Sequence, residues 1–262
     1  MKGAIIGDIV GSIYEHHNIK TKEFPLFQNR CFFTDDTVMT AAVADALMQS
    51  YRYDKPLYDT VEECLHTYGK NYPHRGYGGR FKKWLYEEHP EPYESYGNGA
   101  PMRSSPAGWI TNEPQKAYQI GEATAMPTHN HPEGMKAAGV VAELVCRARN
   151  GESMEQLKKV ALSYYGIQSL NKMRDWYYFD VSSQGTMPAA LTAFFESVDF
   201  EDAIRNAISL GGDSDTIAAI TGAIAEAYYG VPEEIWSKAA SYLDEKIIDC
   251  VMEYYDFAKE MV

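Results

Sequence analysis

The stretch GGDSDTIAAITGAIAEAYYG, residues 211–230, decides the fold class of this chain. Ile217, Ile220 and Ile224 recur at helical spacing, and alanine and glycine fill many of the positions between them. A helix that is apolar or small on every side is buried nearly all round. Gly230 is typical of a residue that ends a helix, and a proline lies just beyond it. The stretch therefore predicts a helix in the core of the protein.

The sequence on both sides of this stretch extends the helical pattern, and no convincing alternating strand pattern is present. Gly7 and Gly11 lie one turn apart and would leave one face of the first helix open for close packing. We predict helices over residues 2–14, 37–50, 54–70, 114–125, 132–150, 153–165, 185–197, 200–209 and 213–230, and one or two more over 232–259. No linker or repeat divides the chain, so we predict an all-α fold in a single domain over residues 1–262.

Residues 71–110 are expected to be irregular, with one short helix near 81–87, because they are rich in glycine, proline and tyrosine. Loops of this length inside a compact domain are usually functional. The segment YGNGAPMR at 96–103 has glycines that permit close approach of a ligand, and its N–H groups could cradle a phosphate. An ordinary turn is the alternative, because Asn-Gly favours turns strongly.

Composition narrows the class of protein. With 45% hydrophobic residues the chain can bury a substantial core. A net charge of -13 disfavours binding to a nucleic-acid backbone or an anionic membrane and attracts cations. The four cysteines are scattered without a CxxC pair, which indicates reduced thiols in the cytoplasm. We expect no signal peptide and no membrane span, and a monomer with a dimer as the alternative.

Two acidic clusters stand out, TDDT at residues 34–37 and DSDT at 213–216, each directly before a helix of small residues. Capping of the helix N-terminus is the simpler interpretation of either cluster alone. However, each has two carboxylates where a cap needs one, and the small residues allow both helix starts to lie deep. Buried carboxylates need a partner, and few Lys or Arg residues lie nearby in sequence. Two Mg²⁺ ions would satisfy four aspartates and two threonines.

Two histidine segments are less specific. In Thr128-His129-Asn130-His131 a pair of histidines could bind a metal, but a turn with one buried histidine is the more usual arrangement. Glu15 is followed by two histidines at a helix end, where a solvated cluster is expected. Glu15 would matter only if the two acidic clusters converge on it.

The sequence resembles the ADP-ribosylglycohydrolase family over nearly its whole length. The segments that carry the resemblance occur in the family's order: GDIVGSIYE at 7–15, FTDDT at 33–37, GNGAPMR at 97–103, THNHPEG at 128–134 and the stretch at 211–230. The resemblance implies a compact all-helical fold and a centre of two Mg²⁺ ions, with Mn²⁺ as an alternative. It also implies hydrolysis of the bond between ADP-ribose and a modified group.

The resemblance further implies roles for single residues. The metal ligands would be Thr34, Asp35, Asp36, Asp213, Asp215 and Thr216, and the substrate contacts would be Gly97, Asn98, Gly99, Met102 and His129. Tyr178, in the aromatic run 176–179, is a candidate for stacking on adenine. Asp36 or Glu15 would be catalytic, orienting or deprotonating the attacking water, and both alternatives stay open. Pro101 departs from the family pattern and removes one backbone N–H donor from the phosphate-binding loop.

The expected substrate is arginine of a protein modified with ADP-ribose. Serine O-linked, nucleobase-linked and O-acetylated ADP-ribose are alternatives, since the sequence does not specify the bond. A module that binds ADP-ribose or a nucleotide without turnover is a further alternative. The complete set of six metal-ligand residues favours the enzyme.

Overall fold

A computed structural model describes all 262 residues and contains thirteen α-helices and no β-strand, which confirms the all-α prediction. The helices are α1 Lys2–Gly11, α2 Asp35–Tyr53, α3 Leu57–Asn71, α4 Gly79–Trp84, α5 Pro114–Ala125, α6 Pro132–Arg149, α7 Met154–Tyr164, α8 Leu170–Trp176, α9 Ser183–Phe195, α10 Phe200–Ile208, α11 Ser214–Tyr229, α12 Glu233–Ala240 and α13 Glu245–Met261. Residues 97–99 are called the glycine loop below. Two 3₁₀ turns, Pro101–Arg103 and Ser105–Trp109, follow it.

The helix predicted from residues 211–230 is α11, and every residue from Ser214 to Glu226 is buried. Helix α1 packs most closely against it, because Gly7 and Gly11 bring the two backbones together. A methyl group added at Gly11 would lie 2.5 Å from the Cα atom of Asp215, closer than side chains approach. The open face predicted for α1 is therefore used for contact with α11.

The other helices surround this pair. Helices α2, α6, α9 and α10 pack against α11, while α3 and α13 pack against α2 and α5 packs against α6. Seventy-two buried apolar residues form one continuous cluster, so the helices share a single core. Because α1 and α11 lie at its centre, the polar residues at their ends are held by packing on all sides.

Several predicted boundaries were wrong. Helix α3 begins at Leu57 rather than residue 54, because Asp54 ends α2 in the left-handed conformation, with φ of 50°. The short helix α4 lies at Gly79–Trp84 rather than 81–87. Helix α8 was missed, since it has seven residues and buries only Leu170 and Met173, too few for a periodic pattern. The last predicted segment is the pair α12 and α13.

No helix has both the length and the apolar composition that crossing a membrane requires. The four cysteine side chains are free and buried.

Candidate metal-binding active site

Three helix ends meet at the candidate site. Helices α2 and α11 begin there, and the chain leaving α1 carries Glu15 to the same place. The Oγ1 atom of Thr216 donates a hydrogen bond to Oδ2 of Asp36 at 3.2 Å, which joins the starts of α2 and α11. The two acidic clusters predicted from the sequence therefore converge, and Glu15 lies with them.

The capping interpretation accounts for one residue of the two clusters. Thr34 is the N-cap of α2, and its hydroxyl accepts a hydrogen bond from the backbone N–H of Asp36 at 3.3 Å. Asp213 occupies the N-cap position of α11, but its side chain makes no capping bond. Its Oδ2 atom instead accepts a hydrogen bond from Nδ2 of Asn98 at 2.6 Å. Capping therefore does not require the aspartates, and their carboxylates are available to bind another group.

The carboxylates form two overlapping groups. In the first group, one oxygen each of Asp8, Asp36 and Asp215 lie within 4.8 Å of one another. In the second group, oxygens of Glu15, Asp213 and Asp215 lie within the same limit. Asp215 belongs to both groups, so five carboxylates form one continuous cluster. Carboxylate oxygens in this density are the donor set that hard divalent cations prefer.

The cluster is largely buried, and its one contact with a basic side chain is that of Glu15 with Nε2 of the neighbouring His16, at 3.7 Å. No Lys or Arg forms a salt bridge with any of its five carboxylates. Burial, followed by repulsion from Asp8, raises the pKa of Asp36 well above its usual range. Burial, followed by repulsion from Asp213, does the same to the pKa of Asp215. Oδ1 of Asp36 is buried without any hydrogen-bond partner. A bound cation would remove both the repulsion and this unsatisfied oxygen.

Asp8 is a member of the site that the sequence interpretation missed. It is fully buried in α1 and accepts hydrogen bonds from the backbone N–H and hydroxyl groups of both Thr34 and Thr37. These four bonds occupy its oxygens, so Asp8 orients the start of α2. Burial raises the pKa of Asp8 to about 6. The available signal was a single charged residue within the otherwise apolar helix 3–11.

Asp35 lies at the mouth of the same site but belongs to neither carboxylate group. Its backbone N–H donates to the carbonyl of Arg75 at 2.7 Å, while its side chain makes no hydrogen bond and faces the cavity. Burial, followed by repulsion from Asp8, raises the pKa of Asp35 well above its usual range. Asp35 is therefore placed to complete a cation site from the solvent side.

A cavity of about 500 Å³ opens over the cluster. Residues of the long segment between α3 and α5 line it, as do His129 and, before α9, Phe179 and Val181. The predicted residues that line it are Glu15, Thr34, Asp35, Asp36, Gly97, Asn98, Gly99, Met102, His129, Asp213, Asp215 and Thr216. This volume lies within the usual range of small-molecule sites.

A sequence model described as ADP-ribosylglycohydrolase matches residues 1–259 of the chain. The chain belongs to the ADP-ribosylglycohydrolase family. The resemblance inferred from the motifs is thereby confirmed, and the family is one of hydrolases that act on ADP-ribose conjugates.

Curated relatives and a solved structure agree with this assignment. The chain is similar to the ADP-ribosylhydrolase ARH3 of Mus musculus, with 27% identity over 94% of this chain and 87% of the relative. It is also similar to an ADP-ribosylarginine hydrolase of Serratia proteamaculans (strain 568), with 26% identity over 87% of this chain and 70% of that protein. A structure described as an ADP-ribosylglycohydrolase-related protein complex superposes with a TM-score of 0.72 and 26% identity, covering 98% of this chain and 95% of that one.

In this member of the ADP-ribosylglycohydrolase family, Asn98 already has partners within the protein. Its side-chain amide donates to Asp213 at 2.6 Å and to Thr186 at 3.1 Å, and its backbone N–H donates to the carbonyl of Val181. Asn98 therefore orients Asp213, and contact with a ligand at this position stays a prediction. Gly97 and Gly99 flank it and present their backbone to the cavity.

The aromatic run contributes a different residue from the one predicted. Tyr178 is 77% exposed and does not line the cavity, whereas Phe179 and Val181 do. The sequence did not indicate which of these adjacent aromatic side chains would line the cavity, because the run continues beyond α8 into a segment without regular periodicity. Phe179 is therefore the aromatic residue of this run that lines the cavity.

The two histidines of residues 128–131 have different roles in the structure. His131 is the N-cap of α6 and accepts a hydrogen bond from the backbone N–H of Glu133. His129 is buried beside the glycine loop and bonds Thr128. Neither histidine belongs to a group of side chains that could hold a metal.

Proposed function

We propose that the chain hydrolyses the glycosidic bond between ADP-ribose and a modified group, using two divalent cations at the junction of α1, α2 and α11. The observation that carries the proposal is the cluster of five carboxylates without a Lys or Arg partner, four of which line the cavity. The substrate that we propose is arginine of a protein modified with ADP-ribose.

The donor set fits Mg²⁺ or Mn²⁺. Its members are carboxylate and hydroxyl oxygens, with no sulfur and no imidazole within either carboxylate group. The residues that would hold the ions are Thr34, Asp35, Asp36, Asp213, Asp215 and Thr216. When bound, such ions supply Lewis-acid charge to sugar hydroxyls and to the attacking water.

Another part of the cavity has positively charged side chains, which suit an anionic nucleotide. Arg75 and Arg80 line the cavity, and neither forms a salt bridge with a carboxylate. The backbone of Gly99 also lines the cavity, whereas the N–H of Gly97 already donates to Oγ of Ser95 at 3.1 Å. Arginine and exposed backbone N–H groups are common partners of phosphate. ADP-ribose has a diphosphate for this part of the cavity and a ribose for the carboxylate part.

Glu15 is the general base that we favour over Asp36. The Oδ2 atom of Asp36 already accepts a hydrogen bond from the hydroxyl of Thr216 at 3.2 Å. The carboxylate of Glu15 makes no hydrogen bond in the protein and is partly exposed to the cavity. Burial, followed by repulsion from Asp213, raises the pKa of Glu15, which brings it nearer the working pH of a general base.

The entrance to the cavity suits a cationic leaving group. Glu15 is partly exposed there, and Phe32, which is 47% exposed, also lines the cavity. A guanidinium group is attracted by carboxylates and stacks on aromatic faces. Both features favour arginine over serine as the modified residue.

Release of free ADP-ribose from a panel of conjugates tests the proposal. The panel contains arginine-linked, serine-linked and O-acetylated ADP-ribose, each with Mg²⁺, with Mn²⁺ and with EDTA. We expect turnover that requires the metal and is fastest with the arginine conjugate. Asp213→Asn should reduce turnover by about 100-fold or more, because it removes a charge from the cation site. Asp256→Asn, on the exposed surface of α13, is the matched control and should not change turnover.

Three outcomes would contradict parts of this proposal. Equal turnover with metal and with EDTA would overturn the role of the carboxylates. Binding of ADP-ribose with no product from any conjugate would indicate a binding module. Faster release from serine would change the assigned substrate and leave the site assignment intact.

A further inference from the structure

A short chain of hydrogen bonds leads from a buried arginine to the cavity. The Nη2 atom of Arg103 donates to Oγ1 of Thr128 at 2.7 Å, and this oxygen lies 2.7 Å from Nδ1 of His129. Arg103 is 1% exposed, Thr128 is fully buried, and His129 lines the cavity. The sequence motifs included all three residues, but the mechanism above uses none of these contacts.

The direction of each bond follows from counting hydrogens. The guanidinium of Arg103 has only donors, so the hydroxyl oxygen of Thr128 must accept from it. The hydroxyl hydrogen of Thr128 then needs an acceptor, and Nδ1 of His129 is its only remaining partner. If Nδ1 also carried a hydrogen, the buried hydroxyl hydrogen would have no acceptor, which is unfavourable for a buried polar group. Nδ1 is therefore the acceptor and the ring hydrogen lies on Nε2.

We propose that Arg103 and Thr128 are positioning residues that fix His129 as the tautomer with its hydrogen on Nε2, so that His129 donates a hydrogen bond to an anionic oxygen of the bound ligand. The inference deepens the proposed function and rests on it for the identity of the ligand, because the diphosphate of ADP-ribose supplies such oxygens.

The surroundings of His129 agree with a donor that faces an anion. Its Nε2 atom has no hydrogen-bond partner in the protein, and a methyl group added at Gly99 would lie 3.2 Å from it. The ring thus lies directly against the glycine loop. Burial, and then the charges of Arg103 and Arg80, hold the pKa of His129 well below its usual range. A histidine kept neutral donates from one nitrogen only, so the tautomer decides whether the cavity receives a donor.

Nuclear magnetic resonance of protein labelled with ¹⁵N-histidine tests the tautomer directly. We expect His129 to show a protonated Nε2 and an unprotonated Nδ1 in the wild-type protein. A protonated Nδ1 would overturn the proposal. This measurement does not depend on catalysis or on any substrate, so it is informative even if the proposed function fails.

Calorimetric binding of ADP-ribose, with Mg²⁺ present, tests the role of the tautomer. Thr128→Val removes the hydroxyl, and we expect binding about tenfold weaker together with a mixture of the two tautomers at His129. Thr128→Ser retains the hydroxyl and should restore both the tautomer and the affinity. Thr124→Val is the matched control. It removes a buried hydroxyl that donates to the carbonyl of Gly121 and takes no part in the hydrogen bonds that join Arg103, Thr128 and His129.

The outcomes separate the two proposals. If Thr128→Val binds ADP-ribose as tightly as the wild type, the positioning role is wrong. If Thr124→Val weakens binding as much as Thr128→Val, the effect is structural and the positioning role is again wrong. If the wild type itself fails to bind ADP-ribose while His129 shows the expected tautomer, the ligand assignment fails and the proposed function fails with it.

Discussion

Asp36 accepts a hydrogen bond from Thr216, although 180 residues separate them in the chain. The bond joins the first turn of α2 to the first turn of α11 through a carboxylate whose other oxygen is buried without a partner. A side chain held on one oxygen and unsatisfied on the other is suited to binding a cation. Five carboxylates concentrated at this junction would otherwise repel one another.

Divalent cations should therefore stabilise the folded protein. At a Mg²⁺ concentration 100 times the Kd, binding contributes about 2.7 kcal/mol, which corresponds to a rise in Tm of roughly 5–10 °C. We expect Asp36→Asn to lose most of this rise, whereas the surface variant Asp256→Asn keeps it. Scanning fluorimetry with Mg²⁺ and with EDTA measures the shift. A Tm that is the same under both conditions would contradict the cation site.

Close packing of α1 on α11 predicts an effect of Gly11→Ala on the site. The added methyl group would lie 2.5 Å from the Cα of Asp215, so one helix must move. We expect a loss of about 1–3 kcal/mol in the free energy of unfolding, together with weaker binding of Mg²⁺. Urea denaturation and calorimetry measure the two effects. Gly166→Ala, where a methyl group meets no atom within 4 Å, is the control and should change neither quantity.

Asp8→Asn tests whether the buried carboxylate of α1 orients the cation ligands. Asparagine has a single acceptor oxygen, so part of the set of hydrogen bonds from Thr34 and Thr37 must be lost. We expect the affinity for Mg²⁺ to fall about 10- to 100-fold, as is usual when a residue that orients metal ligands is changed. Isothermal titration calorimetry measures the affinity. An unchanged Kd would show that Asp8 serves the fold alone.

The environment of His129 predicts a dependence of stability on pH. The charged groups that lower its pKa, after burial, are Arg103 and Arg80. Below about pH 6.5, His129 of the unfolded chain binds a proton that the folded protein excludes, so this residue lowers stability as pH falls. The wild type should lose up to about 1.4 kcal/mol per pH unit relative to His129→Gln between roughly pH 6.5 and 5. Parallel urea midpoints for the two proteins over this range would disprove the assignment.

Replacement of Phe179 and of Tyr178 should have different effects. Phe179 lines the cavity, while the more exposed Tyr178 does not. If Phe179 stacks on adenine, Phe179→Ala should weaken ADP-ribose binding roughly tenfold, or about 1.4 kcal/mol. Tyr178→Ala should leave the affinity unchanged and serves as the matched control. Equal Kd values for both variants and the wild type would place adenine elsewhere.

The helical periodicity around residues 211–230 was sufficient to predict the all-α fold and the burial of α11. The pairs of aspartates at the starts of α2 and α11 led to the hypothesis that these helix starts meet around cations, because two carboxylates exceed what capping requires. Helix α8 was not predictable, since seven residues with two buried side chains have no periodic signal. Asp8 was overlooked because a single aspartate in an apolar helix does not identify its partners.

The sequence by itself determined the all-α fold class, most of the helices, the aspartates at the starts of α2 and α11, and the family to which the chain belongs. Tertiary structure alone decided that Asp8 orients Thr34 and Thr37, that Phe179 rather than Tyr178 faces the cavity, and that Arg103 reaches His129 through Thr128. The reason is physical. Helical periodicity is a property of neighbouring residues, whereas hydrogen-bond partners and side-chain directions depend on how distant segments pack.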